Sequence, residues 1–355
     1  MAQSVAPGRG APVIVMNKFT VIWQSKTPHE LDWIEELFGP LIKNHVYDGE
    51  HQVVMDDAIL VDAFINRFDE RYYRQFAGKN AFLVHVLDET YAGGYDRYLY
   101  FKGVFREHFS ARFNGDKVFN IPLGYYKKRP VARPSKPALQ RPYIWSFVGV
   151  MDKPTRPGML RALRTCSPFM VISTSSVYGE AGGARERVAL NMEQYYQVIE
   201  DSVFSPSPMG NVNLECFRMY EALEAGSIPI IEKRLFLNYF RSVLGENPIP
   251  LVSRWSDAAK LIDDLLRTPE RLVALQAACA EFWVTYKSSL RRDIQAFIER
   301  NAALPNGGRM YSPLVTHRIY AYFELLRHHN AGAVIWRIRR QIARLWTQRR
   351  WRVSG

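Results

Sequence analysis

The sequence predicts an α/β protein of two Rossmann-like, doubly wound parallel domains facing across a cleft, with a helical C-terminal extension. Three observations carry this reading. Short apolar runs of strand length alternate with segments of helical period in both halves of the chain. Pro122 to Pro142 interrupts that alternation with five prolines, a density that forbids regular structure and marks a linker. Asp201 to Arg234, DSVFSPSPMGNVNLECFRMYEALEAGSIPIIEKR, reads as strand, glycine turn, helix, glycine turn, strand. A chain of 355 residues is long enough for two domains of ordinary size.

In the first domain, Phe19–Trp23, Asp57–Val61, Ala81–Val86 and Lys117–Ile121 read as buried strands. Helices are expected from Pro28 to Phe38, where Thr27-Pro28-His29-Glu30 is a good start, and around Asn66–Phe76. In the second domain, strands are expected at Tyr143–Gly149, Phe169–Ser173, Ser202–Ser205, Ile228–Ile231 and Pro248–Val252. The intervening helices are Thr155–Arg164, Met192–Glu200, Asn213–Ala225 and Ser256–Arg267. Asn213 is read as a helix cap and Gly226 as its left-handed terminator. Three further helices follow, Pro269–Lys287, Leu290–Asn301 and Thr316–Asn330. The resulting boundaries are a first domain over 1–122, a linker over 123–142 and a second domain over 143–310. A helix over 311–330 crosses back to the first domain, and a basic tail occupies 331–355.

In the Asn213–Ala225 helix, Leu214, Phe217, Tyr220 and Leu223 form an inward stripe, while Glu215, Arg218 and Glu221 lie along another. A strand leading into a helix N-terminus is where α/β proteins bind phosphorylated ligands, because free N–H groups and the helix dipole favour an anion. An Arg one turn in can hold a diphosphate, and a Glu further along can accept from sugar hydroxyls. Lys153 and Arg156 also open a helix after a strand, where cations oppose the dipole unless an anion is bound. Arg156 is therefore a second candidate diphosphate ligand. Gly210 and Asn211 lie in the loop between strand and helix. Arg185 and Arg187 flank a Gly-rich loop, Val177–Arg187, and read as solvated.

In the first domain, His85, Asp88 and Glu89 stand at the carboxyl end of a buried strand, where open α/β sheets place ligands. A carboxylate or His there can take a proton from an attacking hydroxyl. Asp88 and Glu89 are the candidate bases, with His85 behind them. Arg106 and Tyr95–Tyr100 could line the same side.

The hydrophobic fraction of 47% and charged fraction of 23% exclude a disordered chain. Three distant cysteines, Cys166, Cys216 and Cys279, argue against a disulfide framework and for a reducing compartment. No metal-ligand spacing is present, and without a G-x-G-x-x-G fingerprint neither NAD nor FAD is expected. Of the net charge of +12, seven arginines lie between Arg337 and Arg352, a stretch without acids. That tail has helical period, with Ile335, Ile338, Ile342, Leu345 and Trp346 on one stripe. A basic amphipathic helix bearing Trp is the profile of a membrane-surface anchor, so 335–352 is expected to bind a membrane surface. Packing on the body, or a disordered solubilising tail, is the alternative. Nucleic acid is not an expected partner, since no recognised nucleic-acid module is present.

The segment around Asp201–Arg234 resembles the signature of exostosin-type glycosyltransferases, glycosyltransferase family 47. Their pattern is roughly F-x-L-x-P-x-G, a short gap, then S-x-R-x-x-E-A-L-x-x-G-C-I-P-V-I. Phe204, Pro208, Gly210, Arg218, Glu221, Ala222, Leu223, Gly226, Ile228, Pro229 and Ile231 match it. Ser227 replaces the usual Cys, and Cys216 stands where Ser is often found. The resemblance runs from about Tyr143 to Lys233, with Gly149 and Arg156 in a second element, and leans toward the ribitol xylosyltransferase-like branch. It implies a GT-B fold and inverting, metal-independent transfer of a sugar from a nucleotide diphosphate, with a UDP-sugar the first choice. The implied acceptor is a glycan or lipid-linked glycan. Arg218 and Arg156 would hold the diphosphate, Glu221 the ribose, and Glu215 the donor sugar. Eukaryotic relatives carry a membrane anchor. No comparable apolar stretch is found here, so the expectation is either a bacterial enzyme in the cytoplasm, peripheral on the inner membrane face, or a trimmed piece of a longer chain. The alternative is a catalytically silent nucleotide- or glycan-binding protein at that surface.

Overall fold

The computed structural model describes residues 17–24, 30–63, 70–89, 91, 95–110, 112–113, 115–130, 134–151, 153, 155–174, 190–210, 213–233, 238–305 and 310. Among them the expected GT-B architecture is present: two parallel sheets, each wrapped by helices, joined by the proline-rich linker.

The first domain runs β1 (Phe19–Trp23), α1 (Leu31–Phe38), β2 (Ile42–Tyr47), β3 (Ala58–Asp62), α2 (Glu70–Arg74), β4 (Ala81–His85), β5 (Gly103–Arg106) and β6 (Val118–Asn120). All strands pair in parallel, in the order β2-β1-β3-β4-β5-β6. β3 and β4 are buried at every position, as expected when helices cover both faces of a parallel sheet. β2, an edge strand with mostly exposed residues, and the four-residue β5 are additional to the strands read from sequence. Neither carries a long apolar run.

The second domain runs β7 (Tyr143–Gly149), α3 (Arg156–Leu163), β8 (Phe169–Ser173), α4 (Met192–Glu200), β9 (Ser202–Ser207), α5 (Phe217–Glu224), β10 (Ile228–Glu232), α6 (Tyr239–Leu244), β11 (Leu251–Val252), α7 (Trp255–Leu266) and α8 (Pro269–Ala302). Its sheet order is β8-β7-β9-β10-β11, again parallel. In both sheets the first strand is flanked by the second and the third. The connection therefore reverses direction at β1/β3 and at β7/β9, and ligands of open α/β sheets bind outside the strand ends at such switch points.

Two helix expectations are corrected. α5 begins at Phe217, not at Asn213. The Asn213 side chain accepts from the Glu215 amide (3.3 Å) and donates to Tyr91 Oη (3.1 Å), so it braces a turn before the helix. Its end is as expected. Gly226 has φ +65°, its N–H bonds Leu223 O, and Ser227 N–H bonds Ala222 O, the paired closure that a left-handed residue permits. The helices expected at Pro269–Lys287 and Leu290–Asn301 are one 34-residue helix, α8, because nothing between them breaks a helix.

α8 joins the domains. Trp283 stacks on Trp33 of α1 (5.7 Å), and Phe297 meets Phe105 (5.0 Å) and Phe119 (5.4 Å) of the first sheet. Arg291 Nε donates to Glu36 O (2.8 Å), and its guanidinium and Lys287 both pair with the Glu36 carboxylate. The crossing expected at 311–330 and the tail at 331–355 lie outside the described residues. The three cysteines are buried and free.

Candidate active site

The carboxyl ends of β7 and β9 gather a cationic cluster. Arg218 Nη2 donates to the Val148 carbonyl (2.6 Å), and its guanidinium lies 4.1 Å from the Phe147 ring centroid. Arg156 Nη1 donates to the Val150 carbonyl (2.6 Å) and sits 5.5 Å from the same ring. Gly149 makes this possible. Its φ is +154°, and a Cβ there would stand 2.5 Å from Arg218 Nη2. Burial first, then the charges of Arg156 and Arg218, pull the Lys153 ammonium below the ordinary lysine value, while Glu89 acts in the opposite sense. Arg156 opens α3 and Arg218 stands in the first turn of α5. Neither helix has an acid in its first turn or a side-chain cap. Two positive helix ends and three cations thus converge with no acid in the first turn of either helix. That arrangement favours a bound anion.

Glu215 and Glu221, expected on one helix stripe, are separated because α5 starts after Glu215. Glu215 is fully buried and accepts from Leu123 N–H (3.0 Å), Tyr239 Oη (2.6 Å) and Tyr220 Oη. The His108 ring stands 3.8 Å away. These donors come from the linker and the second domain, so Glu215 fastens the linker rather than offering its oxygens to a sugar. Glu221 accepts from Tyr195 Oη and from Tyr126 N–H of the linker (3.4 Å). Burial pushes both carboxyls up, against the hydrogen bonds that each accepts. Gly210 N–H bonds Asn213 O (2.8 Å), and a Cβ at Gly210 would stand 2.7 Å from Glu215 O and 3.5 Å from Glu89 Oε1. Asn211 lies outside the described residues, as do Arg185 and Arg187.

The structure sorts the three residues at the end of β4. Asp88 is buried, ion-paired with Arg106 Nη2 (2.8 Å) and bonded by Tyr95 Oη (2.8 Å). Arg106 itself is fully buried beneath Tyr91, Tyr95 and Phe113. His85 Nδ1 is 2.5 Å from Tyr98 Oη, and burial pushes its pKa down to about 3. His85 is therefore neutral, and Asp88 belongs to an internal ion pair. Glu89 is only half-buried, next to Gly210 across the domain boundary and within the field of Lys153.

Two acids that the sequence reading did not single out stand behind Glu89. Glu107, after β5, is fully buried, and its Oε2 accepts from Leu87 N–H (3.0 Å). Glu30, before α1, is 2% exposed. The available signal was the charged run Arg106-Glu107-His108 directly after the apolar Gly103–Phe105. Among the described residues no group of His, Cys, Asp and Glu is placed to hold a metal ion. No helix there is long and apolar enough to cross a membrane.

Residues 126–302 match the family model described as RXYLT1 C-terminal domain. Mouse ribitol-5-phosphate xylosyltransferase 1 is 26% identical over 147 residues, 40% of this chain and 32% of that protein. The human protein of the same name is 29% identical over 128 residues, 35% and 28% respectively. The match thus spans about a third of those relatives' length. Similar solved structures include the DNA-modifying enzyme β-glucosyltransferase (10% identity, TM-score 0.49, covering 81% of this chain and 99% of that one). Another is Anabaena Alr3699/HepE in complex with UDP and glucose (9% identity, TM-score 0.47, 79% and 99%). The part of the chain that carries the cationic cluster is therefore the part that is similar to the RXYLT1 C-terminal domain.

Proposed function

We propose that the chain is a nucleotide-sugar-dependent glycosyltransferase of the exostosin type, with a UDP-sugar as donor. The observation that carries this reading is the convergence of Lys153, Arg156, Arg218 and two uncapped helix ends at the β7/β9 switch point, facing Glu89. The similarity of residues 126–302 to the RXYLT1 C-terminal domain supports it. In the reaction, an acceptor hydroxyl oxygen attacks the anomeric carbon as that carbon's bond to the diphosphate oxygen breaks. The hydroxyl proton passes to the Glu89 carboxylate. The diphosphate leaves with its charge held by the arginines and the helix ends, a role for which no metal is needed. Attack opposite the leaving group inverts the anomeric centre.

Glu89→Gln should lower UDP release from the cognate UDP-sugar by about 10²-fold or more with UDP affinity unchanged. Equal rates in the two proteins would remove Glu89 from the reaction. A silent nucleotide-binding protein is the second reading, favoured by the engagement of Asp88 and His85 within the protein. It predicts no donor hydrolysis by the unmodified chain.

The acceptor is proposed to be a glycan or lipid-linked glycan in polysaccharide synthesis, reached from the inner face of a bacterial membrane through 335–352. Full-length protein should sediment with anionic lipid vesicles at low salt. Equal sedimentation after deletion of 335–352 would rule out the tail as the anchor.

A further inference from the structure

We infer that Glu107 is a positioning residue that sets the Glu89 loop through Leu87, and that a charge on Glu30 opposes it. The inference rests on the functional reading of Glu89 above. Leu87 is a branched residue held at φ +61°, a conformation that costs free energy and persists only where surroundings impose it. What imposes it is visible. Leu87 N–H donates to Glu107 Oε2 (3.0 Å), and Glu107 N–H donates to His85 O (3.1 Å). The β5 end therefore grips the chain on both sides of Val86, three residues before Glu89.

The other oxygen of that carboxyl is unusual. Glu107 Oε1 and Glu30 Oε1 are both buried and have no hydrogen-bond partner among the described residues. The charged groups acting on Glu107 are Glu30 from the start of α1, Glu215 from the turn before α5, and Arg106 from β5. Arg106 is already paired with Asp88. The His108 ring lies against Glu215. The Glu30 charge disfavours ionisation of Glu107, so two buried acids of like charge oppose one another. Burial raises Glu30 to about 7 and Glu107 well above the ordinary carboxyl value, Glu107 further through the Glu30 charge. Ionisation of Glu30 as pH rises would add a like charge acting on Glu107 and loosen its hold on Leu87.

The tests separate positioning from the general functional reading. Amide exchange at Leu87 should be protected in the unmodified protein and in Glu107→Gln, and fast in Glu107→Leu. Turnover of Glu107→Leu should fall by about 10²-fold, the scale expected when a reacting group is displaced by about an ångström, with UDP affinity unchanged. Glu107→Gln should retain most of the activity. The unmodified enzyme should lose kcat above a pH of about 7, and Glu30→Gln should lack that alkaline limb. Equal Leu87 exchange in all forms overturns the positioning role, and so does an alkaline limb unchanged in Glu30→Gln. If Glu107→Leu does not fold, the two Gln variants decide through the same exchange and pH measurements. If the unmodified protein releases no UDP from any donor, the functional reading fails, and the exchange comparison still decides the positioning.

Discussion

At the scale of single residues, burial determines what each acid and base can do. Glu89 and Asp88 are neighbours in sequence, yet Asp88 closes an ion pair with Arg106 while Glu89 faces the second domain. The two stay open in the sequence, because their difference arises from tertiary contacts with Arg106, Tyr95 and Gly210. Arg156 and Arg218 could be singled out as candidates because glycine turns and helix starts are local signals of an anion site. Glu30 and Glu107 could not, since a loop acid looks solvated until tertiary packing covers it. Glu30 has a consequence for stability. Its folded-state pKa, about 7, lies above the ordinary value of 4.5, so the folded chain binds the proton more tightly than the unfolded one. The associated stability is fully present below pH 4.5 and is lost as pH rises through about 7. Replacing Glu30 by Gln should therefore raise Tm at pH 8 relative to the unmodified protein. The difference should amount to about 3 kcal/mol at most and disappear near pH 4.5. Equal Tm curves from pH 4.5 to 8 would refute the shift.

At the scale of elements, strands with unbroken apolar runs, such as β3 and β4, were read correctly, and so was the Gly226 helix end. β5 was missed because four residues with a glycine show no period, although it delivers Arg106 and Glu107 to the site. The start of α5 was misplaced because an Asn before a helix has two uses. Here its side chain bonds the Glu215 amide and Tyr91 instead of the helix's first turn. That difference moves Glu215 off the helix and into the linker contact. α8 was divided in two by the sequence reading, yet as one helix it spans both domains. Trp283 is its main anchor, stacked on Trp33 and donating to Glu224 Oε1 (2.6 Å). Trp283→Ala should destabilise by about 3–5 kcal/mol, measured by denaturant unfolding. A loss below about 1 kcal/mol would show that the stack is not a principal tie.

At the scale of the whole molecule, polar contacts join the two strand-end edges. Phe109 N–H donates to Tyr239 Oη (3.0 Å), and Asn213 bonds Tyr91. Glu215 gathers the linker amide and two tyrosines, and Glu89 lies against Gly210. The domain arrangement thereby sets the distance between the proposed base and the cationic cluster. The proposed role of this cluster is to bind a nucleotide diphosphate. Isothermal titration of UDP into the full chain and into Arg218→Ala tests it. Saturable, one-to-one binding is expected, weakened at least tenfold in the variant, a loss of about 1.4 kcal/mol or more, while the variant keeps its unfolding transition. Equal affinity in both proteins, or binding by neither with both folded, would contradict it.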